Sequence, residues 1–279
     1  MVQQIINGIL LGGVYALIGV GMTMIFGIVQ LTNLAHGEFV ILSAYISNVL
    51  LISFGVHPLL SLIITVPVMF CFGYLLQSLL INKVMARGAE PALLVTFGIS
   101  IIIQNALLLI FSADANRLIV DFQSESISIG ELVKIPVLNL LVCIIGIITI
   151  LLLNLFLKKT YIGQSIRATS DDKVAASLMG VNVKRTYGIA MGIALATTAI
   201  AGVMVGMVNP FYPDTGSKYL IIAFGVVVIG GMGSIIGTMA AGFIFGLAQV
   251  LGGSSYGLLL GYVVLIVMLA VRPQGLFSK

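Results

Sequence analysis

Eight nearly uncharged, mostly apolar stretches of roughly twenty residues divide this chain: 3–30, 38–55, 58–80, 91–111, 136–157, 187–208, 234–252 and 254–271. A helix needs about 20 such residues to cross the hydrocarbon of a bilayer. Backbone in lipid must satisfy its hydrogen bonds internally, so repeated stretches of this kind dictate a bundle of transmembrane helices. Composition excludes the alternative: only 8% of residues are charged and 60% are hydrophobic, whereas a soluble domain carries about 25% charged residues. No polar stretch is long enough to bury a core of its own. Residues 1–279 therefore read as one all-α, polytopic membrane domain in contact with lipid. A further apolar piece, Leu220–Gly230, has eleven residues and is short for a crossing.

Lys and Arg collect on the cytoplasmic side of membrane proteins and set their orientation. Segments 81–90, 158–186 and 272–279 hold ten of them, and segments 112–135 and 209–219 hold three. The first set is expected inside and the second outside. Three stretches precede 81–90, so the N-terminus is expected outside and the C-terminus inside. The number of crossings is then odd, which requires 220–230 to cross, alone or as part of a broken span. A cleaved signal peptide needs a basic start, and no Lys or Arg precedes Lys83, so the first stretch is expected to remain as a span. The net charge of +4 comes from residues flanking spans and is no sign of nucleic-acid binding. Cys71 and Cys143 fall inside apolar stretches and read as small buried hydrophobes, with no disulfide or metal spacing.

Two breaks look alike. The stretch 3–30 descends, breaks at 30–37 and returns as 38–55; the piece 220–230 descends, breaks at Gly230–Ser234 and returns as 234–252. Transporters often bind substrate where helices break at corresponding positions of two repeats. At the first break Asn33, His36, Gly37 and Glu38 are candidates for a polar pathway, and Glu38 is the only acid among the first 89 residues. Thr32 or Asn33 could instead cap the next helix, with Glu38 facing its dipole in an ordinary solvated turn. The second break offers Gly230, Gly231 and Gly233, which free the backbone. Packing is the competing explanation there, because Gly233/Gly237, Gly242/Gly246 and Gly257/Gly261 repeat a small-xxx-small spacing. Gln104 and Asn105 lie inside the span 91–111 and need partners in hydrocarbon, from another helix or from the pathway.

Catalytic patterns are missing. The chain has no Gly-x-x-x-x-Gly-Lys-Ser/Thr phosphate loop, no Ser/His/Asp or His-Glu-x-x-His arrangement, and only two His. Attention passes to the charged segment 158–186, which carries six of the thirteen Lys and Arg. Its centre, Asp171 to Gly180, reads as a short helix. Asp171 and Asp172 suit its start, and Lys184 and Arg185 lie beyond its end. Val174, Leu178 and Met179 share a face, beside Ala175 and Ala176. Such a helix either docks on a partner or lies flat on the lipid surface.

Asn33-Leu34-Ala35-His36-Gly37-Glu38, Gly163-Gln164-Ser165-Ile166-Arg167-Ala168, Ala175-Ala176-x-x-x-Gly180 and Gly230-Gly231-Met232-Gly233-Ser234 occur in this order. In that order they resemble the permease subunits of branched-chain amino-acid ABC importers, over nearly the whole chain. The resemblance implies a multi-pass protein of a bacterial or archaeal cytoplasmic membrane. It implies a second, related permease subunit, two cytoplasmic ATPases that carry the ATP and Mg, and an external binding protein. It implies no cofactor on this chain, and that Asp171–Gly180 is the coupling helix that docks in the ATPase. The family's usual acid before the paired alanines is Val174 here. Relatives that carry urea or short amides share the Asn33–Glu38 signature, so such solutes are the substrate alternatives. An ion-driven secondary carrier is a different mechanism, which would require paired intramembrane ionisable groups beyond His36 and Glu38. A non-transporting membrane scaffold would have no use for the charged helix.

Overall fold

The computed structural model describes the chain apart from residues 30, 86–87, 130–132 and 278–279. Among the described residues twelve α-helices follow one another: α1 (Val2–Val29), α2 (His36–Phe54), α3 (Pro58–Leu76), α4 (Asn82–Met85), α5 (Ala89–Phe111), α6 (Val137–Lys159), α7 (Tyr161–Asp171), α8 (Lys173–Leu178), α9 (Val183–Val208), α10 (Gly216–Gly230), α11 (Ile235–Leu251) and α12 (Gly253–Val271). A π-turn, Gln77–Ile81, joins α3 to α4 without a gap. Between α5 and α6 the strands β1 (Ser126–Ile129) and β2 (Val133–Pro136) pair as an antiparallel hairpin. That hairpin was not expected, although Ser126-Ile127-Ser128-Ile129 alternates as a half-exposed strand does.

Six helical segments among the described residues are long and apolar enough to span: 2–29, 36–54, 58–85, 90–111, 137–159 and 183–208. The chain is a polytopic helical bundle. The count differs from the eight long stretches of the sequence in the last third, where α11 is 17 residues long and bends sharply away from α10. The helices α10 and α11 pass only as a pair, bent by 116° at their break. The helix α12, Gly253–Val271, covers the stretch expected at 254–271.

The helices α1 and α9 form the centre, and α5 lies at the periphery, with 83%, 78% and 17% of their apolar windows buried. A helix that is apolar all round suits a fully buried position. Lipid is as apolar as leucine, so close van der Waals approach must hold the spans together, and small residues allow it. On α1, Gly8 faces Leu247 of α11, Gly12 faces Phe243 and Gly13 faces Cys143 of α6. From the other side Gly242 meets Ala16, and Gly246 meets Gly12. The small-xxx-small spacing of α11 is thus used for packing within the chain. Tyr15 stacks edge-on against Phe245 at 5.8 Å and donates its hydroxyl to Gln249 Oε1 at 2.6 Å.

The two ends of the bundle differ chemically. At the hairpin end, Gln3 Nε2 donates to the Lys134 carbonyl at 2.7 Å and Gln3 Oε1 accepts from the Lys134 N–H at 2.9 Å. Asn116 pairs there with Phe211, and Tyr45 packs between Phe111 and Phe211. At the opposite end α7 touches the end of α1, with Ser170 Oγ donating to the Gly27 carbonyl. Asn82 also donates to the Lys184 carbonyl there. Lys83, segment 158–186 and Arg272 therefore share one end, away from Arg117 and Lys134; Arg87 and Lys279 lie outside the described residues. Cys143 is buried as expected, but Cys71 is exposed, because it lies on the outward face of the peripheral α3.

Candidate functional site

The break before α2 is not a solvated turn. Asn33, His36 and Glu38 are each at most 1% exposed. Depth explains this: His36 Nε2 lies 3.0 Å from the Ile18 carbonyl. A carbonyl only accepts, so Nε2 carries the proton and donates. Ile18 precedes the end of α1 by eleven residues, or about 16 Å at 1.5 Å rise per residue. The chain thus turns back into the bundle before α2 begins. Side-chain capping takes a form the sequence did not suggest. Asn33 Oδ1 accepts from the Ala35 N–H at 3.0 Å, but the N-cap residue is Ala35, without a side-chain bond.

Glycines hold this start of α2 against three helices. A side chain on Gly37 would run into the backbone of Gly216, the first residue of α10, and one on Gly21 would meet Thr198 Oγ1 and the Ala194 carbonyl. Gly202 admits the Val40 carbonyl in the same way. The Glu38 carboxyl lies against Gly216, so one acid faces the N-terminal turns of both α2 and α10. The positive ends of two helix dipoles favour an anionic group there. Asn33 Nδ2, His36 Nδ1 and Glu38 Oε2 are buried without a hydrogen-bond partner among the described residues. Unpaired buried polar atoms are rare and costly, and they cluster here within six residues. Gly216, Thr198 and Gly21 had no local signal in the sequence that would have placed them at this site.

The second break lies at the other end of α10. Gly231 and Gly233 have φ of 97° and 86°, a region open mainly to glycine. Ser234 Oγ caps α11 by accepting from the Gly237 N–H at 3.1 Å. The C-terminal segment closes the break: the N–H groups of Leu276 and Phe277 donate to the carbonyls of Ile229 and Gly230. Gly233 lies against Gly27 of α1. A cavity of about 340 Å³ opens there, lined among others by Thr23, Gly27, Asn154, Arg167 and Gly233. The two breaks do not meet directly; α10 runs from the first, at Gly216, to the second, at Gly230. Gln104 and Asn105 reach neither. Gln104 is half-buried and Asn105 exposed on α5, where Asn105 Nδ2 donates to the Ile101 carbonyl of its own helix.

Within segment 158–186 the short helix expected over Asp171–Gly180 is present as α8, and α7 precedes it. Asp171 ends α7, and Asp172 starts α8, its Oδ1 accepting from the N–H groups of Val174 at 2.8 Å and Ala175 at 3.0 Å. Gly180, at φ 86°, stops α8, and Asn182 Oδ1 caps α9 through the Arg185 N–H. Ala176 faces inward, whereas Val174, Leu178 and Met179 are 62%, 84% and 85% exposed. Three apolar side chains thus project from a polar end of the molecule on a helix fixed at both termini. Thr160 caps α7, and buried Ile166 with Ser170 seats that helix against the end of α1.

The chain is similar to known proteins over almost its whole length. The family described as "Branched-chain amino acid transport system / permease component" matches residues 4–271. The high-affinity branched-chain amino acid transport system permease protein BraD of Pseudomonas aeruginosa is 30% identical over 295 residues, covering 99% of this chain and 95% of the relative. LivH of Escherichia coli K12, of the same description, is 29% identical with the same coverage. A probable LivH of Methanocaldococcus jannaschii is 24% identical over 98% of this chain and 92% of its own length. No solved structure matches. With its bundle of apolar spans, the chain belongs to the family of permease components of branched-chain amino acid transport systems.

Proposed function

We propose that this chain forms half of the membrane pathway of an ATP-driven importer for branched-chain amino acids. Its orientation places the cation-rich α7–α8 end in the cytoplasm, with the N-terminus outside and the C-terminus inside. The chain then crosses nine times, with α2 and α10 as helices that start partway through. A second, related permease chain completes the pathway. Two cytoplasmic ATPases carry ATP and Mg, and an external protein delivers substrate to the hairpin end. This chain supplies neither a catalyst nor a cofactor.

The observation that carries the reading is α8: a capped helix presenting Val174, Leu178 and Met179 to water. Apolar side chains held out on a rigid element fit a groove in a partner protein. Force arriving there has a contiguous route inward. It passes from α8 to α7, through Ser170 to Gly27, across the Gly27–Gly233 contact and along α10 to Gly216 and Glu38. The site at its far end holds Asn33, His36, Gly37 and Glu38, where unpaired polar groups would meet a zwitterionic solute or its water. Gly230, Gly231 and Gly233 act as the hinge of α10, and Gln104 and Asn105 face outward from the pathway half.

The test is uptake of labelled leucine into proteoliposomes holding this chain with its partner subunits. Uptake should require ATP on the ATPase side and the external binding protein. Urea or a short amide carried in preference to leucine would transfer the reading to that substrate class. Uptake by the purified chain alone under a proton or sodium gradient would overturn it in favour of a secondary carrier.

A further inference from the structure

The cavity of about 340 Å³ beside the second break combines an apolar floor with a rim of both charges. Met24 and Ile28 of α1, Leu157 of α6, Ile166 of α7 and Ile235 of α11 line the floor, each at most 8% exposed. On the rim, α7 contributes Arg167 and Asp171, four residues apart and so on one helix face, and the end of α6 contributes Lys158. All three are exposed. Among the described residues the Arg167 guanidinium makes one hydrogen bond, to the Lys158 carbonyl at 3.5 Å, which leaves most of its five N–H donors unused. Asn154, half-buried inside the span α6, adds an amide to the wall. The helix α11 starts there too, with Ile235 and Ile236 in the lining and the Ser234 hydroxyl occupied by the Gly237 N–H. The first N–H groups of a helix have no partner within it and favour an anion.

Pockets of roughly 300–1,000 Å³ take one small molecule, so this cavity holds a single small solute. Arg167, Lys158 and the start of α11 suit a carboxylate. Asp171 on the same rim suits an ammonium group and repels a phosphate, and the floor suits a hydrocarbon side chain. A zwitterion with an apolar side chain uses all three. We propose that the cavity is a cytoplasmic site for an apolar α-amino acid, the product of import, and that its occupancy slows further import. This rests on the importer reading above, which puts this end in the cytoplasm and supplies the amino acid. The cavity lies where Ser170 meets Gly27 and Gly27 meets Gly233, on the route from α8 to α10. A ligand shifts an equilibrium only through its differential affinity for the two states. A solute held at once by Arg167 of α7 and by the start of α11 favours the arrangement that keeps them together, and so opposes the movement of α7 that ATP drives.

The test is equilibrium dialysis of labelled leucine against the permease–ATPase complex in nanodiscs, without the external binding protein and without nucleotide. Leucine should bind. Isoamylamine, which lacks the carboxylate, and the α-keto analogue of leucine, which lacks the ammonium, should each compete at least tenfold less well than unlabelled leucine. Arg167→Gln and Asn154→Leu should each weaken binding, the first by tenfold or more. Binding unchanged in both variants, or analogues that compete as well as leucine, would overturn the site. Displacement by inorganic phosphate or by anionic lipid in preference to leucine would overturn the amino acid as its ligand. In proteoliposomes loaded with ATP, leucine added to the lumen should slow initial uptake several-fold. Arg167→Gln should abolish that slowing while uptake into leucine-free vesicles stays within twofold of wild type; slowing that persists in the variant would overturn the feedback. Intact ATP-driven uptake with no leucine bound refutes the site and leaves the importer standing. Uptake that needs no ATP refutes the importer and the feedback with it.

Discussion

Removing the projecting side chains of α8 should separate docking from folding. Leu178→Ala with Met179→Ala deletes two side chains that are 84% and 85% exposed in the free chain, so the chain itself loses almost no packing. Alanine is also the best helix former, and the Asp172 cap is untouched. In the complex, these side chains would lie in a protein groove. At about 0.8 kcal/mol per buried CH₂, deleting three carbon-sized groups from each of Leu and Met costs about 3–5 kcal/mol, the upper figure for full burial. At 1.4 kcal/mol per tenfold, affinity for the ATPase should fall between roughly a hundredfold and several thousandfold. Titration of labelled ATPase against the detergent-solubilised chain reads this directly, and the thermal unfolding of the chain serves as the control. An affinity within twofold of wild type, with the fold intact, would refute α8 as the docking element.

Other perturbations probe the buried end. Glu38→Gln keeps size and removes charge; uptake should fall tenfold or more while ATPase docking holds, and wild-type kinetics would return Glu38 to a capping role. Gly37→Ala forces a methyl into the Gly216 backbone, an overpacking worth about 1–3 kcal/mol or more; Gly98→Ala, in open space, should raise stability by up to about 1 kcal/mol, and unfolding curves of the pair check this. Asp172→Ala removes a cap worth about 1 kcal/mol and should weaken ATPase binding several-fold, read in the titration used for α8.

The legible parts of this molecule were those with a local cause. Apolar stretches of span length are read directly as helices, and Gly230-Gly231-Met232-Gly233 reads as a break because three glycines with no charge cannot continue a stable helix. The chemistry of segment 158–186 was equally local, since cations and capping residues declare themselves by type. The helix α7 ahead of α8 was missed, because its few apolar residues sit in an otherwise polar stretch. What was illegible depended on contacts distant in sequence. Asn33 to Glu38 has the composition of a capped turn, and it is buried because Gly216, Gly202 and Gly21 let three other helices close over it. The exposure of Cys71 likewise follows from the peripheral place of α3, which no property of the stretch itself reveals. Hydropathy also gave no angle for the break between α10 and α11, which the structure sets at 116°.

The central claim is that docking at α8 is felt at the start of α2, and a thiol placed there tests it most directly. Thr198 is fully buried, and its hydroxyl lies against the site of Gly21 and His36. In a chain with Cys71→Ser and Cys143→Ala, Thr198→Cys should resist a small cationic methanethiosulfonate reagent in the resting complex. Trapping the ATPases with a non-hydrolysable ATP analogue should make the thiol react from the external side. A thiol that stays unreactive in both states, in a complex that still transports, would contradict the route from α8 to Glu38.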